Sequence, residues 1–175
     1  AKLMSVESLI HSKEFEQKIP LEIERKFLPL FPERLLALQA ESRPIEQYYL
    51  SHPSEPFSLR LRAILSDQNN FAYEATLKDT GQLRTDGITR MEVTVPVGEG
   101  LYQFYMSKEV PVVRKLRAEP LPGVSIDFYQ DGDVQVESEN PVSWQQFIAE
   151  QGDLFVDITG DHASSNEWKA HLTFR

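Results

Sequence analysis

Apolar and polar residues alternate along much of this chain, which is the pattern of strands whose two faces meet different surroundings. In Leu21–Phe27 (LEIERKF), Glu22, Glu24 and Lys26 share one face, while Leu21, Ile23 and Phe27 share the other, with Arg25 the exception. Ser58–Ile64 sets Arg60 and Arg62 against Leu59, Leu61 and Ala63. Phe71–Lys78 sets Glu74, Thr76 and Lys78 against Tyr73, Ala75 and Leu77, and Thr89–Val95 sets Arg90, Glu92 and Thr94 against Met91, Val93 and Val95. Val112–Arg117 keeps Lys115 with Arg117 and turns Arg114 away beside Leu116. Val124–Tyr129 places Asp127 with Ser125 and Tyr129, and Val134–Glu139 repeats the opening spacing of acids in Glu137 and Glu139. Ile45–Ser51 is strand-like through its aromatics.

Helical periods fill the gaps. Residues 1–19 carry Val6, Leu9, Ile10 and Phe15 among charges, and predict an additional N-terminal helix ending before Pro20. Phe31–Ala40, with Pro32 early and Leu35, Leu36 and Leu38 on an apolar side, predicts a covering helix. Leu101–Lys108, Pro141–Gln151 and the C-terminal SSNEWKAHL predict three shorter ones. No linker, fixed-period repeat or low-complexity tract divides the chain. The pattern predicts a single α+β domain over 1–175, with six to eight strands and a few covering helices.

Composition narrows the chemistry. With 41% hydrophobic and 26% charged residues the chain reads as an ordinary soluble globular protein, and neither a membrane-length apolar run nor a secretory signal pattern is present. A cytoplasmic location is expected. The sequence has no cysteine, so disulfides, thiolate metal sites and a cysteine nucleophile are excluded; a bound metal would be a hard ion on oxygen, or on histidine. The histidines, His11, His52, His162 and His171, share no ligand spacing and read as surface residues. Trp144 and Trp168 fall in helical segments and read as packing. A net charge of -9 argues against an extended nucleic-acid surface, while leaving room for a local basic pocket.

Pooled, the charged faces hold Lys26, Arg60, Arg62, Lys78, Arg90, Lys115 and Arg117 against Glu22, Glu24, Glu74, Glu92, Asp127, Glu137 and Glu139. A sheet with its apolar side covered by helices can leave such a face open to water or curl it inward. Arginine is preferred to lysine in tight pairs, and acids collect toward the two ends of the chain, which favours the inward arrangement. Two guanidinium groups two residues apart repel until an anion bridges them, so the bases suit a tri- or polyphosphate. Paired carboxylates repel unless a cation lies between them, which suits Mg²⁺ or Mn²⁺.

The order of motifs LEIERKFL, QYYL, RLR, TLK, TRME, RKLR, SIDFY and VESE resembles that of the CYTH family, the triphosphate tunnel metalloenzymes, from about Leu21 to Asn166. The resemblance implies a closed antiparallel barrel of about eight strands around a hydrophilic tunnel, and divalent-metal-dependent chemistry on triphosphates. By position, Glu22, Glu24, Glu137 and Glu139 match the family's metal-side glutamates and Asp127 its aspartate. Lys26, Arg60, Arg62, Lys78, Arg90, Lys115 and Arg117 match its phosphate-binding bases. Tyr49 matches a tyrosine paired with Lys26 near the reacting phosphoryl, and Glu92 fits its RxE.

Departures are Thr94 and Ala163, where relatives often carry a glutamate and a tyrosine, and Glu74, where an uncharged residue is expected. The expected activity is hydrolysis of tripolyphosphate or of a nucleoside or thiamine triphosphate. The alternative is an adenylate cyclase releasing cyclic AMP and pyrophosphate, and a third reading is a polyphosphate-binding module without turnover. A small polyphosphate is the expected partner, with neither nucleic acid nor membrane; a homodimer is left open.

Overall fold

Strand β1 (Leu21–Pro29) is the seam of the structure. The computed structural model describes residues 21–66 and 68–173, and the helix expected over 1–19 lies outside them. After β1 come a 3-10 helix (Pro32–Glu41), β2 (Arg43–Tyr49), β3 (Phe57–Leu65), β4 (Phe71–Asp79), β5 (Gln82–Arg84) and β6 (Gly87–Pro96). Helix α1 (Glu99–Met106), β7 (Val112–Leu121), β8 (Val124–Tyr129), β9 (Val134–Ser138), α2 (Pro141–Gln151) and β10 (Phe155–Asp157) follow. A 3-10 turn (His162–Ser164) and α3 (Asn166–Thr173) complete the described chain.

β1 pairs with β9 along one edge and with β6 along the other. The series β1, β9, β8, β7, β2, β3, β4, β6 therefore returns to its start as a closed antiparallel barrel of eight strands. The short strands β5 and β10 add to β6 and β1 outside that ring. A ring of this size leaves an interior just wide enough for side chains and one small ligand. The fold class is α+β, with helices outside a tunnel, as the resemblance implied.

The outer faces are covered where the apolar alternation predicts. Phe27, Val124, Ile126 and Val136 pack beneath α2, and Phe27 stacks on Trp144 with ring centroids 3.9 Å apart. Helix α2 starts where predicted because the Asn140 side chain accepts from the backbone N–H groups of Val142 and Ser143, with Pro141 in the first turn. Tyr48, Leu61 and Ala63 form a second outer cluster with Tyr102 of α1, whereas Tyr49, Val113 and Tyr129, on the inward faces of their strands, meet Ala170 of α3. No helix among the described residues is long and apolar enough to cross a membrane.

The segment after β1 corrects the expectation of an α-helix. At about three residues per turn, a 3-10 helix stacks positions i and i+3. Leu35 is buried and Leu38 packs against the same cluster, whereas Leu36 is left 52% exposed.

Closure rests on four paired positions, from Leu21 opposite Met91 to Glu24 opposite Ile88. Gly87 begins β6 at φ +137, and a Cβ placed there would lie 2.5 Å from the Glu24 carbonyl oxygen. Gly87→Ala is therefore expected to cost about 2–4 kcal/mol, read as a lower urea midpoint. An unchanged midpoint would show that the seam tolerates a side chain at this corner.

Candidate functional site

Once the sheet closes, alternation decides what faces inward. The lumen is lined by Glu22, Glu24 and Lys26 of β1, Tyr49 of β2, Arg60 and Arg62 of β3, Lys78 of β4, and Arg90 and Glu92 of β6. Arg117 of β7, Glu137 of β9 and Glu139 just beyond it complete the ring, enclosing a cavity of about 170 Å³. A highly charged chain in so small a space would touch its wall on several sides. Glu139 stays in line with its strand because its N–H donates to the Gly123 carbonyl at 2.8 Å.

Three acids converge. Glu22, Glu24 and Glu139 each bring a carboxylate oxygen within 4.8 Å of the others, a spacing that could hold one hard divalent cation. The pKa of Glu139 is raised to about 7, first by loss of hydration and then by Glu22, Glu24 and Glu137. Glu24 is raised as well, by burial and then by Glu137. Such crowding is what a bound cation relieves. Lys78 partly offsets it, with Nζ 3.1 Å from Glu22 and 2.9 Å from Glu92, and so does Arg90, 3.0 Å from Glu22 and 3.3 Å from Glu24.

The facing wall is held by a second network. Arg117 donates to both oxygens of Asp127 at 2.7 and 2.8 Å and reaches Glu137 at 3.2 Å; Lys26 lies 3.6 Å from Glu137. Glu137 consequently stays well below the usual carboxylate range, because Arg117 and then Lys26 outweigh its burial. Asp127 is fully buried and shared between Arg117 and Lys115, whose Nζ is 2.7 Å away and whose side chain has no exposed surface. Burial, more than Asp127 can offset, brings the Lys115 pKa down to about 7. Asp127 and Lys115 therefore sit behind the lining, holding Arg117, and apart from the three converging acids. Their depth follows from β7 pairing with β8, which sets Arg117 opposite Asp127 and Lys115 opposite Tyr129.

Several inward groups are absent from the sequence reading. Gln47, fully buried, donates to the Tyr49 hydroxyl at 2.9 Å, and Arg60 lies beside the same hydroxyl. Lys26, which the resemblance sets beside Tyr49, has its ammonium turned to Glu137. Near α3, Ser165, Asn166 and Glu167 join the lining. The Asn166 side-chain oxygen accepts from Tyr129 at 2.7 Å and from Lys115 at 3.3 Å, and Glu167 accepts from Ser51 at 2.6 Å. Gln47 could have been found from its two-residue spacing to Tyr49. The α3 residues come from a helix end, where strand alternation carries no signal.

No protein-family model matches the sequence, and neither does any curated protein. Solved structures do. HpAC1 from Hippeastrum, described as a putative adenylyl cyclase with a dominant triphosphatase activity, superposes with a TM-score of 0.55 at 11% identity, over 87% of this chain and 95% of that one. The fold is that of the CYTH-type tunnel barrels. The PH1819 protein of Pyrococcus horikoshii OT3 gives 0.52 at 15% identity, over 88% and 100% of the two chains. The inorganic triphosphatase NE1496 gives 0.49 at 23%, over 85% and 97%.

The raised Glu139 pKa carries a sign. A carboxyl that titrates near 7 when folded and near 4.5 when unfolded binds extra protons in the native state between those values, so cation-free stability falls as pH rises through that window. Because Glu139 is exposed, the effect is discounted: Glu139→Gln is expected to stabilise the chelator-treated protein by about 1 kcal/mol at pH 8. Urea midpoints should show this gap closing toward pH 4.5; a gap independent of pH would contradict the crowding described.

Proposed function

We propose that this chain is a divalent-metal-dependent hydrolase of triphosphates, acting on inorganic tripolyphosphate or on a nucleoside or thiamine triphosphate. The observation that carries the reading is the meeting, in one closed lumen, of three acids spaced for a cation with bases from five strands. The triphosphatase activity ascribed to HpAC1, which has the same fold, is in keeping with it.

Hydrolysis of a phosphoanhydride breaks one P–O bond and forms another from water, so its demands are charge neutralisation and alignment. Glu22, Glu24 and Glu139 are the residues that would hold Mg²⁺ or Mn²⁺, with Glu137 alongside. When bound, the ion supplies charge screening and Lewis acidity to the phosphate oxygens. Arg60, Arg62, Lys78, Arg90 and Arg117 bind and align the phosphate chain, with Asp127 and Lys115 fixing Arg117 from behind. Lys26 and Tyr49 stand on the side of the lumen nearest α3 and face the reacting phosphoryl, where the Lys26 ammonium stabilises the leaving oxygen.

Incubation with tripolyphosphate, ATP and thiamine triphosphate, each with Mg²⁺ or Mn²⁺, tests the reading directly. Phosphate release that stops on chelation is expected; cyclic AMP with pyrophosphate would instead establish the cyclase. Glu139→Ala should lower kcat/KM by about 100-fold. Arg60→Ala should act mainly by raising KM, by about tenfold. Wild-type kinetics in both variants would contradict the assignments.

A further inference from the structure

Among the described residues three inward-facing acids serve two bases each, and Glu24 and Glu92 each serve one base that is itself shared with Glu22. Glu22 takes Lys78 and Arg90, Glu137 takes Lys26 and Arg117, and Asp127 takes Lys115 and Arg117. Glu74 differs. It sits directly across from Arg62 in the β3–β4 register, and both Nε, at 2.7 Å, and a terminal nitrogen of Arg62 donate to a single Glu74 oxygen. Among the described residues, Arg62 has no other carboxylate and Glu74 no other cation.

Two residues along the same face, Arg60 has no carboxylate partner among the described residues, and its buried Nε is without a hydrogen bond. The β3 pair thus presents one guanidinium ready for an anion and one already engaged. Burial and the neighbouring Arg60 both push the Arg62 pKa down, so Arg62 benefits from a nearby negative group. Two forks at this spacing would together grip a phosphate far more strongly than one.

We propose that Glu74 is an internal competitor for the substrate: its carboxylate occupies Arg62, and a phosphate group must displace it before β3 can grip the chain with both arginines. The inference rests on the triphosphatase reading. It makes Glu74 a specificity-determining residue that lowers affinity for polyphosphate without touching the reacting atoms. The exchange is favourable for a group carrying more than one negative charge and close to neutral for a singly charged one. Glu74 therefore discriminates against weakly charged anions at the end of the barrel remote from α3.

The test is calorimetric titration of inorganic tripolyphosphate into the metal-free protein, paired with steady-state kinetics in Mg²⁺. Glu74→Gln is expected to tighten binding and lower KM by about tenfold, with kcat changed less than about twofold. Glu74→Ala should reproduce the effect, and urea midpoints identify any variant that fails to fold. In an Arg62→Gln background, Glu74→Gln should have no effect. An unchanged or weaker affinity in both folded Glu74 variants overturns the proposal, as does a gain that persists without Arg62, since that gain would come from charge alone. If the wild-type protein neither binds nor hydrolyses tripolyphosphate, the triphosphatase reading falls as well; if it does both while the Glu74 variants match it, this inference alone falls.

Discussion

The structure depends on matching charges turned inward with partners across the strand ladder. An unpaired carboxylate or guanidinium in so enclosed a space is costly, and pairing is what makes the inward face tolerable. The register supplies the partners. Arg62 faces Glu74, Lys78 faces Glu92, Lys26 faces Glu137, Glu22 faces Arg90 and Arg117 faces Asp127, each as a direct cross-strand neighbour. A one-residue slip at any of these ladders would turn the charges outward and bring apolar side chains into the lumen. Electrostatics and strand alignment therefore specify the same arrangement.

Much of this was legible along the chain because strand alternation survives in a barrel that is wet inside and covered outside. The eight ring strands and helix α2 match their predicted segments closely, since each has a clear face or a clear cap. What escaped has physical reasons. Strands β5 and β10 are three residues each, too short to show a period. The 3-10 helix uses the same leucines as an α-helix would, and only its tighter winding separates Leu38 from Leu36. Closure at Gly87 depends on how near the Glu24 backbone comes, which no local pattern records.

The site shows the same division. Position along each strand was enough to place the charged residues on one inner face, but depth was not readable from it. Asp127 and Glu137 are both inward acids, yet one is wholly buried beneath Arg117 while the other opens to the cavity. Depth is set by the pairing of β8 with β7 and by α3, whose Asn166 joins Tyr129 and Lys115. The inner shell behind Arg117 is thus a product of the closed ring, not of any one segment.

The lumen contributes as many fixed anions as fixed cations, in a chain whose overall charge is -9. Empty, it behaves as an internal salt that needs no counterions from solution. On the proposed function, a metal alone would strand the bases that had held its ligands, and a polyphosphate alone would strand the acids. Taken together they swap partners in a double exchange, metal to carboxylate and phosphate to guanidinium, which leaves nothing uncompensated. The barrel would then accept a metal–polyphosphate pair far more readily than either component by itself.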